Sequence, residues 1–172
     1  LPSLPRLAEI IPDLGNQWAL GRIGYFMGRI NYILAAEGAS KTSLMLHRIG
    51  RCLKAGGMAA LVESENEIDE DILSYYLGEY AEDFAANHIY HPKTLEEGMA
   101  MSRAILKSFK EADPDNQVIK VLGYDSVGGS VMARALELDE KTKQEREIGD
   151  TRVGGSGLFM SQAVKEIKYY AK

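Results

Sequence analysis

The chain is poor in cysteine, in long apolar runs and in excess positive charge, and each shortage excludes something. A single cysteine, Cys52, rules out an internal disulfide and fits a reducing compartment. Cys52 sits between Ile49 and Leu53 in a helical pattern and reads as a small core residue rather than a catalytic thiol. No apolar run approaches the roughly 20 residues that cross a bilayer, and no signal-peptide pattern is visible. Twenty Lys and Arg stand against 25 Asp and Glu, a formal charge of −5, which excludes a uniformly basic nucleic-acid coat but not a local cationic site. Internal repeats and low-complexity tracts are absent as well. What remains is 172 residues, 45% hydrophobic and 26% charged, the profile of one soluble globular domain with a real core. The chain opens on Leu1 rather than Met and ends inside an amphipathic pattern, so a truncated core is expected.

Strand and helix patterns alternate. Residues 1–29 form an N-terminal segment of helical spacing broken by Pro2, Pro5 and Pro12 and then by glycines. Ile30 to Leu34 predicts a strand, running into Ala35-Ala36-Glu37-Gly38-Ala39-Ser40-Lys41-Thr42 and then a helix with Leu44, Met45, Ile49, Cys52 and Leu53 as its apolar face. Gly56-Gly57 predicts its stop. Met58 to Val62 predicts a buried strand ending in Glu63-Ser64-Glu65, and Ile68 to Gly78 a helix. Ile89-Tyr90 reads as a short strand. Thr94-Leu95-Glu96-Glu97 is a capping box, with Glu97 set to reach the Thr94 amide. Val118 to Tyr124 predicts the third clear strand, with Asp125-Ser126 at its end. Residues 133–147 are highly charged, Gly149 to Gly157 is glycine-rich, and a final helix is expected from Leu158. Alternation of this kind requires crossover connections and a mainly parallel sheet flanked by helices, an α/β fold. Ligands in such sheets sit at the C-terminal edge of the strands. Lys41-Thr42, Glu65 and Asp125 each follow a predicted strand closely, so all converge on that edge.

Those residue types suit phosphate chemistry. Backbone amides at a helix start hold phosphates. A lysine reaches the outer phosphates and a hydroxyl binds Mg²⁺. Lys41 and Thr42 supply the last two, but Ala35 and Ser40 replace the two glycines of the usual P-loop pattern. Serine in a left-handed backbone costs on the order of 1 kcal/mol. Asp125 ends an apolar strand as a Walker B aspartate does, and Glu65 is suited to orient or deprotonate a water. The plainer alternative makes Glu63, Glu65, Glu67, Asp69, Glu70 and Asp71 one solvated acidic face. His88 and His91 lack further metal ligands, His47 reads as a helix-surface residue, and Lys141, Lys143 and Arg146 sit among carboxylates as a solvated face.

The order of these motifs carries a resemblance. Gly28 to Ile33, leading to Glu37-Gly38-Ala39-Ser40-Lys41-Thr42-Ser43-Leu44, resembles the P-loop approach of bacterial RecA and its phage UvsX-like relatives. Glu63-Ser64-Glu65 is similar to that family's acidic motif and Asp125-Ser126-Val127 to its Asp-Ser-Val. Glu147-Ile148-Gly149-Asp150 through Met160-Ser161-Gln162-Ala163 resembles its first DNA-binding loop and the following helix. The resemblance implies a RecA-like P-loop NTPase core over 30–172, with the DNA loop near 147–160. It implies ATP and Mg²⁺ as cofactors. Glu37, Gly38, Ala39, Ser40, Lys41, Thr42 and Ser43 would bind nucleotide, Thr42 and Asp125 the metal, and Glu65 and Lys41 would be catalytic. Arg152, Val153, Ser161, Gln162 and Lys165 would meet DNA, while Leu158 stands where the family has an arginine. Tyr75 and Tyr76 read as core-packing residues, with a substitute for the family's adenine-stacking tyrosine as the alternative.

The implied protein is a cytoplasmic DNA-dependent ATPase of a bacterial or phage-infected cell, with no membrane partner. It would form a filament on single-stranded DNA and pair it with duplex DNA in repair and recombination. The alternative, motivated by Ala35 and Ser40, is a RecA-like filament subunit whose nucleotide site has failed. A hexameric helicase core of related fold is disfavoured by the segment from Asp150 to Gln162, since helicases lack that loop signature.

Overall fold

The structure, a computed structural model, describes residues 28–34, 36, 38–127 and 155–170. In the last helix the side chains it describes are those of 161 and 163–169. Expectations for most of the N-terminal segment, for Ala35 and Glu37, for the charged stretch 133–147, and for the loop with Arg152 and Val153 lie outside the described residues.

Three strands and five α-helices organise what is described. Helix α1 spans Lys41–Lys54, β1 Met58–Glu63, α2 Glu70–Leu77, α3 Ala81–Asn87, β2 Ile89–Tyr90, α4 Leu95–Ala112, β3 Lys120–Asp125 and α5 Gly155–Tyr170. A 3₁₀ turn, Gly78–Tyr80, links α2 to α3. The sheet order is β2-β1-β3 and both pairings are parallel. The fold is therefore α/β with a parallel sheet flanked by helices, as the alternation of patterns requires.

The side-chain period of two along β1 divides the core. Ala59 and Leu61 face α1, α2 and α3, joining Leu46, Ile49, Cys52, Leu73, Leu77 and Phe84. Ala60 and Val62 face the other way, onto Ile105 of α4. Both faces are covered, so β1 is apolar at every position from Met58 to Val62. Leu61 is fully buried, a contribution of about 1.5–3 kcal/mol. In turn α5 packs Ala163 and Ile167 onto Leu95 and Met99 of α4, and Arg103 pairs with Glu166 at 2.6 Å across the same seam.

Local chemistry sets the boundaries. Gly56, at φ 73°, ends α1. Asp69 caps α2 by accepting the Ile72 amide at 2.8 Å. Thr94 caps α4 by accepting the Glu97 amide at 3.2 Å. Glu97 reaches back to the Lys93 amide at 2.7 Å, one residue earlier than the capping-box expectation. Helix α3 carries only a short apolar signal, Ala81 and Phe84, and had no counterpart in the sequence patterns.

The expected strand Ile30 to Leu34 is a correction. These residues pair with no strand, and Tyr32 and Leu34 are 63% and 91% exposed. A strand is defined by a ladder, and both edges of β1 are already taken by β2 and β3. The apolar pattern of Ile30 to Leu34 marks a segment suited to burial, but it pairs with neither outer edge of the described β2-β1-β3 sheet.

Candidate functional site

The site follows from register. Glu63 and Asp125 are the last residues of β1 and β3 and stand opposite one another. Alternation puts Asp125 on the same face as Val121 and Gly123, the face that carries α1. Gly123 lets that helix approach, because a Cβ there would lie 2.7 Å from the Met45 sulfur. The first turn of α1 thereby arrives over the end of β3. Thr42 Oγ1 donates a short hydrogen bond to Asp125 Oδ2. A hydroxyl and a carboxylate separated by 83 residues are thus brought together, both oxygen donors of the kind Mg²⁺ takes.

Two of the described residues of the loop before α1 have a left-handed backbone. Gly38 has φ 72°, and Ala39 closes a turn through its amide to the Ala36 carbonyl at 3.2 Å. Ser40 adopts φ 60° and ψ 32°, the left-handed conformation that glycine takes without strain. The Ser40 side chain makes no capping bond to α1, and no acidic residue occupies the first turn of the helix. The first turn itself therefore offers no negative charge to the positive end of the helix dipole. Lys41 Nζ donates to the Ala36 carbonyl at 3.1 Å, back within the loop.

The acidic turn after β1 forms the opposite wall. Ser64 ties it to β3: its amide donates to the Asp125 carbonyl at 2.8 Å, and its hydroxyl accepts the Ser126 amide at 3.1 Å. Glu65 is exposed, and its Oε1 accepts from Ser126 Oγ at 2.5 Å. The chain of contacts then runs Thr42 to Asp125, on to Ser126, and from there to Glu65. Ser126 was quoted in the sequence only as part of a motif, and nothing in its spacing announced a contact with Glu65.

Glu63 is also a correction. It does not share a solvated face with its acidic neighbours: it is 1% exposed, while Glu65, Glu67, Asp69, Glu70 and Asp71 are all exposed. The signal that could have separated it is its place as the last residue of a buried strand, in phase with Ala59 and Leu61.

Other candidates fall away from this edge. Tyr76 packs against the core, whereas Tyr75 is 82% exposed. His47 is half-buried rather than on the open surface. His88 lies 3.5 Å from Asp83, and among the described residues no three His, Cys, Asp or Glu side chains gather as a metal cluster. Cys52 is buried, and burial pushes its thiol up to about 11 against the opposing charge of Arg48. On α5, Ser161 and Lys165 are exposed one helical turn apart, away from the face that Ala163 and Ile167 bury. Gln162 lies between them in the helix.

Comparison with known proteins gives one consistent answer. Residues 11–171 match the model of the RecA N-terminal domain. The chain is 30% identical over 165 residues to Protein RecA of Porphyromonas gingivalis, covering 92% of this chain and 42% of that protein. It is 32% identical over 155 residues to Protein RecA of Zymomonas mobilis, covering 90% and 38%. For Protein RecA of Bacteroides thetaiotaomicron the identity is 29% over 161 residues, covering 92% and 43%. The chain thus spans about two fifths of the length of these relatives.

Proposed function

The chain belongs to the RecA family, and on that premise we propose that it is the ATP-binding core of a DNA recombinase. The observation that carries this reading is the contact chain from Thr42 through Asp125 and Ser126 to Glu65. It joins a helix start, a strand end and an acidic turn around a single edge of the sheet. Phosphates would lie on the loop Gly38 to Ser43, with Glu37 beside it, and Lys41 would leave the Ala36 carbonyl to meet them. Thr42 and Asp125 fit Mg²⁺, a cation that keeps several waters and needs few protein ligands. When bound it would neutralise charge on the transferring phosphoryl group. Glu65 is the base or orienting group for the attacking water, and its hydrogen bond to Ser126 holds the carboxylate in place.

DNA is the proposed partner of the region near 147–160 and of α5. Lys165 supplies a phosphate contact, Ser161 and Gln162 polar ones, with Arg152 and Val153 in the loop before them. Assembly into a filament, and pairing of the bound single strand with duplex, are proposed for the whole protein of which these residues form the core. A location in the cytoplasm is proposed on the same ground. No described helix is long and apolar enough to cross a membrane.

The test is ATP binding and turnover by this chain, with and without single-stranded DNA. We expect Lys41→Ala to lose nucleotide and Glu65→Gln to keep it without turnover. A parent chain that binds neither nucleotide nor DNA sinks the proposal. The second reading, a filament subunit with a failed site, rests on Ser40 in its left-handed backbone. A large gain in turnover on Ser40→Gly would favour it.

A further inference from the structure

A buried carboxylate beside the proposed site has a use that the contact chain above leaves open. Glu63 ends β1 at 1% exposure. Its Oε1 accepts the amide of Glu65 at 2.9 Å and the amide of Glu67 at 3.3 Å. The turn that carries Glu65 is thus wound about one carboxylate oxygen, with Asn66 at φ 54° between the two bonded amides. On the other side the register of β1 with β2 runs Leu61 with Ile89 and Val62 with Tyr90. One step further sets Glu63 beside His91. His91 Nδ1 lies 3.0 Å from Glu63 Oε2, close but off the direction of a hydrogen bond.

We propose that Glu63 is a positioning residue for Glu65, and that His91 holds Glu63 from the β2 side. The inference rests on the reading of Glu65 as the hydrolytic carboxylate. Glu63 itself is too buried to meet substrate. A carboxylate withdrawn from water costs several kcal/mol unless it is bonded, and the bonds that offset the cost here are the amides of the acidic turn. Those bonds fix the backbone of Glu65, and Ser126 fixes its side chain at 2.5 Å. Two independent holds leave the carboxylate little freedom to swing away from the edge where Thr42 and Asp125 meet. Replacing Glu63 by a group without an acceptor frees the turn while leaving Glu65 chemically intact. Glutamine keeps an acceptor oxygen of the same reach, so Glu63→Gln preserves both amide bonds and loses only the charge that faces His91.

The experiment has two arms on the same chain. The first measures amide hydrogen exchange. Glu63→Ala should speed exchange at Glu65 and Glu67 by about ten-fold, the loss of one hydrogen bond each, while the amides of β1 keep their protection. Glu63→Gln should keep most of the protection, losing no more than His91→Ala does. His91→Ala, an exposed position that tolerates truncation, should speed both by a smaller factor. Unchanged exchange in Glu63→Ala, or equal loss in Glu63→Gln, overturns the proposal. If Glu63→Ala fails to fold, the remaining two variants decide it: a larger loss of protection in Glu63→Gln than in His91→Ala, or no change in His91→Ala, overturns it.

The second arm measures ATP turnover. Glu63→Ala should lower kcat by about ten- to a hundred-fold with KM for ATP unchanged, the signature of misplaced chemistry rather than lost binding, and Glu63→Gln should restore it. A folded Glu63→Ala chain with the parent kcat overturns the positioning role. A parent chain without turnover, or one in which Glu65→Gln turns over normally, refutes the reading of Glu65 instead. The exchange arm then still decides whether Glu63 holds the turn.

Discussion

Ser40 allows a prediction whose magnitude follows from backbone geometry. Its φ of 60° lies in the left-handed region, where a side chain costs about 1–2 kcal/mol relative to the right-handed helix. Serine gives nothing back for that cost as a helix cap, because its hydroxyl makes no capping bond to α1. Ser40→Gly removes the penalty but adds unfolded-chain entropy worth about 0.5–1 kcal/mol. The net expectation is a gain of about 0.5–1 kcal/mol, which at this chain length raises Tm by about 1–4 °C. Ser40→Ala keeps the penalty and loses no bond, so it should match the parent. Ser40→Val brings a β-branched side chain into the same conformation and should fall below the parent by about 1 kcal/mol or more. Urea and thermal unfolding of the four chains give the order directly. A Ser40→Gly chain less stable than the parent by about 1 kcal/mol, or a Ser40→Val chain equal to it, would refute the reasoning. ATP turnover on the same chains then separates folding strain from a damaged site: equal rates mean that serine already serves the loop.

Three further outcomes follow from packing and charge. Gly50 sits where α1 meets α2, and an added Cβ would lie 2.4 Å from the Tyr76 carbonyl oxygen, so Gly50→Ala should destabilise by about 1–3 kcal/mol in urea unfolding. The hydrogen bond from Lys120, joined by the Val118 and Gln117 amides, lowers Asp113 from 3.8 to about 2. A depressed carboxylate adds stability above its unfolded value that is lost as pH falls through the folded one, so urea midpoints should drop between about pH 4 and 2 more steeply in the parent than in Asp113→Asn. Burial holds the Cys52 thiol at about 11. Iodoacetamide at pH 8 should therefore label it slowly in the folded chain and fast in denaturant, and equal rates would contradict its place in the core.

The parts of the fold legible in the sequence were those whose signal is local. The helix from Lys41 and the strand from Met58 were legible because their apolar positions repeat at the spacing of their own structure and are bounded by Gly56-Gly57. Thr94 was legible as a cap because cap and amide are three residues apart. The alternation of strands and helices placed Thr42, Asp125 and Glu65 on one edge without any contact being known. What the sequence could not show were relations between distant residues. Ser126 meets Glu65 across 61 positions, and no spacing encodes that. Glu63 was lost in a run of acids because composition hides phase: read as a run, six carboxylates look alike, while read from β1 only one of them points inward. The segment Ile30 to Leu34 errs in the opposite sense. Its pattern states a preference for burial, and preference becomes a strand only when another strand supplies the ladder.

Glu63 and Asp125 share a row of the sheet yet have different surroundings, and the difference explains how one edge serves two purposes. Both end parallel strands and both fall on the α1 face by the period of two. Asp125 ends the strand over which α1 begins, so its carboxylate meets a helix hydroxyl that a cation can share. Glu63 ends the central one of the described strands, between β2 and β3. Its carboxylate turns instead to the amides of its own chain, two and four residues on. Of the described strands, β3 thus turns its terminal acid to the Thr42 hydroxyl, and β1 turns its own to the amides of the following loop. An exchange of roles would fail on both sides. A ligand-facing acid at 63 would be shut away from solvent, and a loop-winding acid at 125 would withdraw the one carboxylate that Thr42 contacts. Its place two residues beyond the buried acid, rather than on the strand itself, lets Glu65, the proposed hydrolytic group, stay exposed to water while its backbone stays fixed to the core.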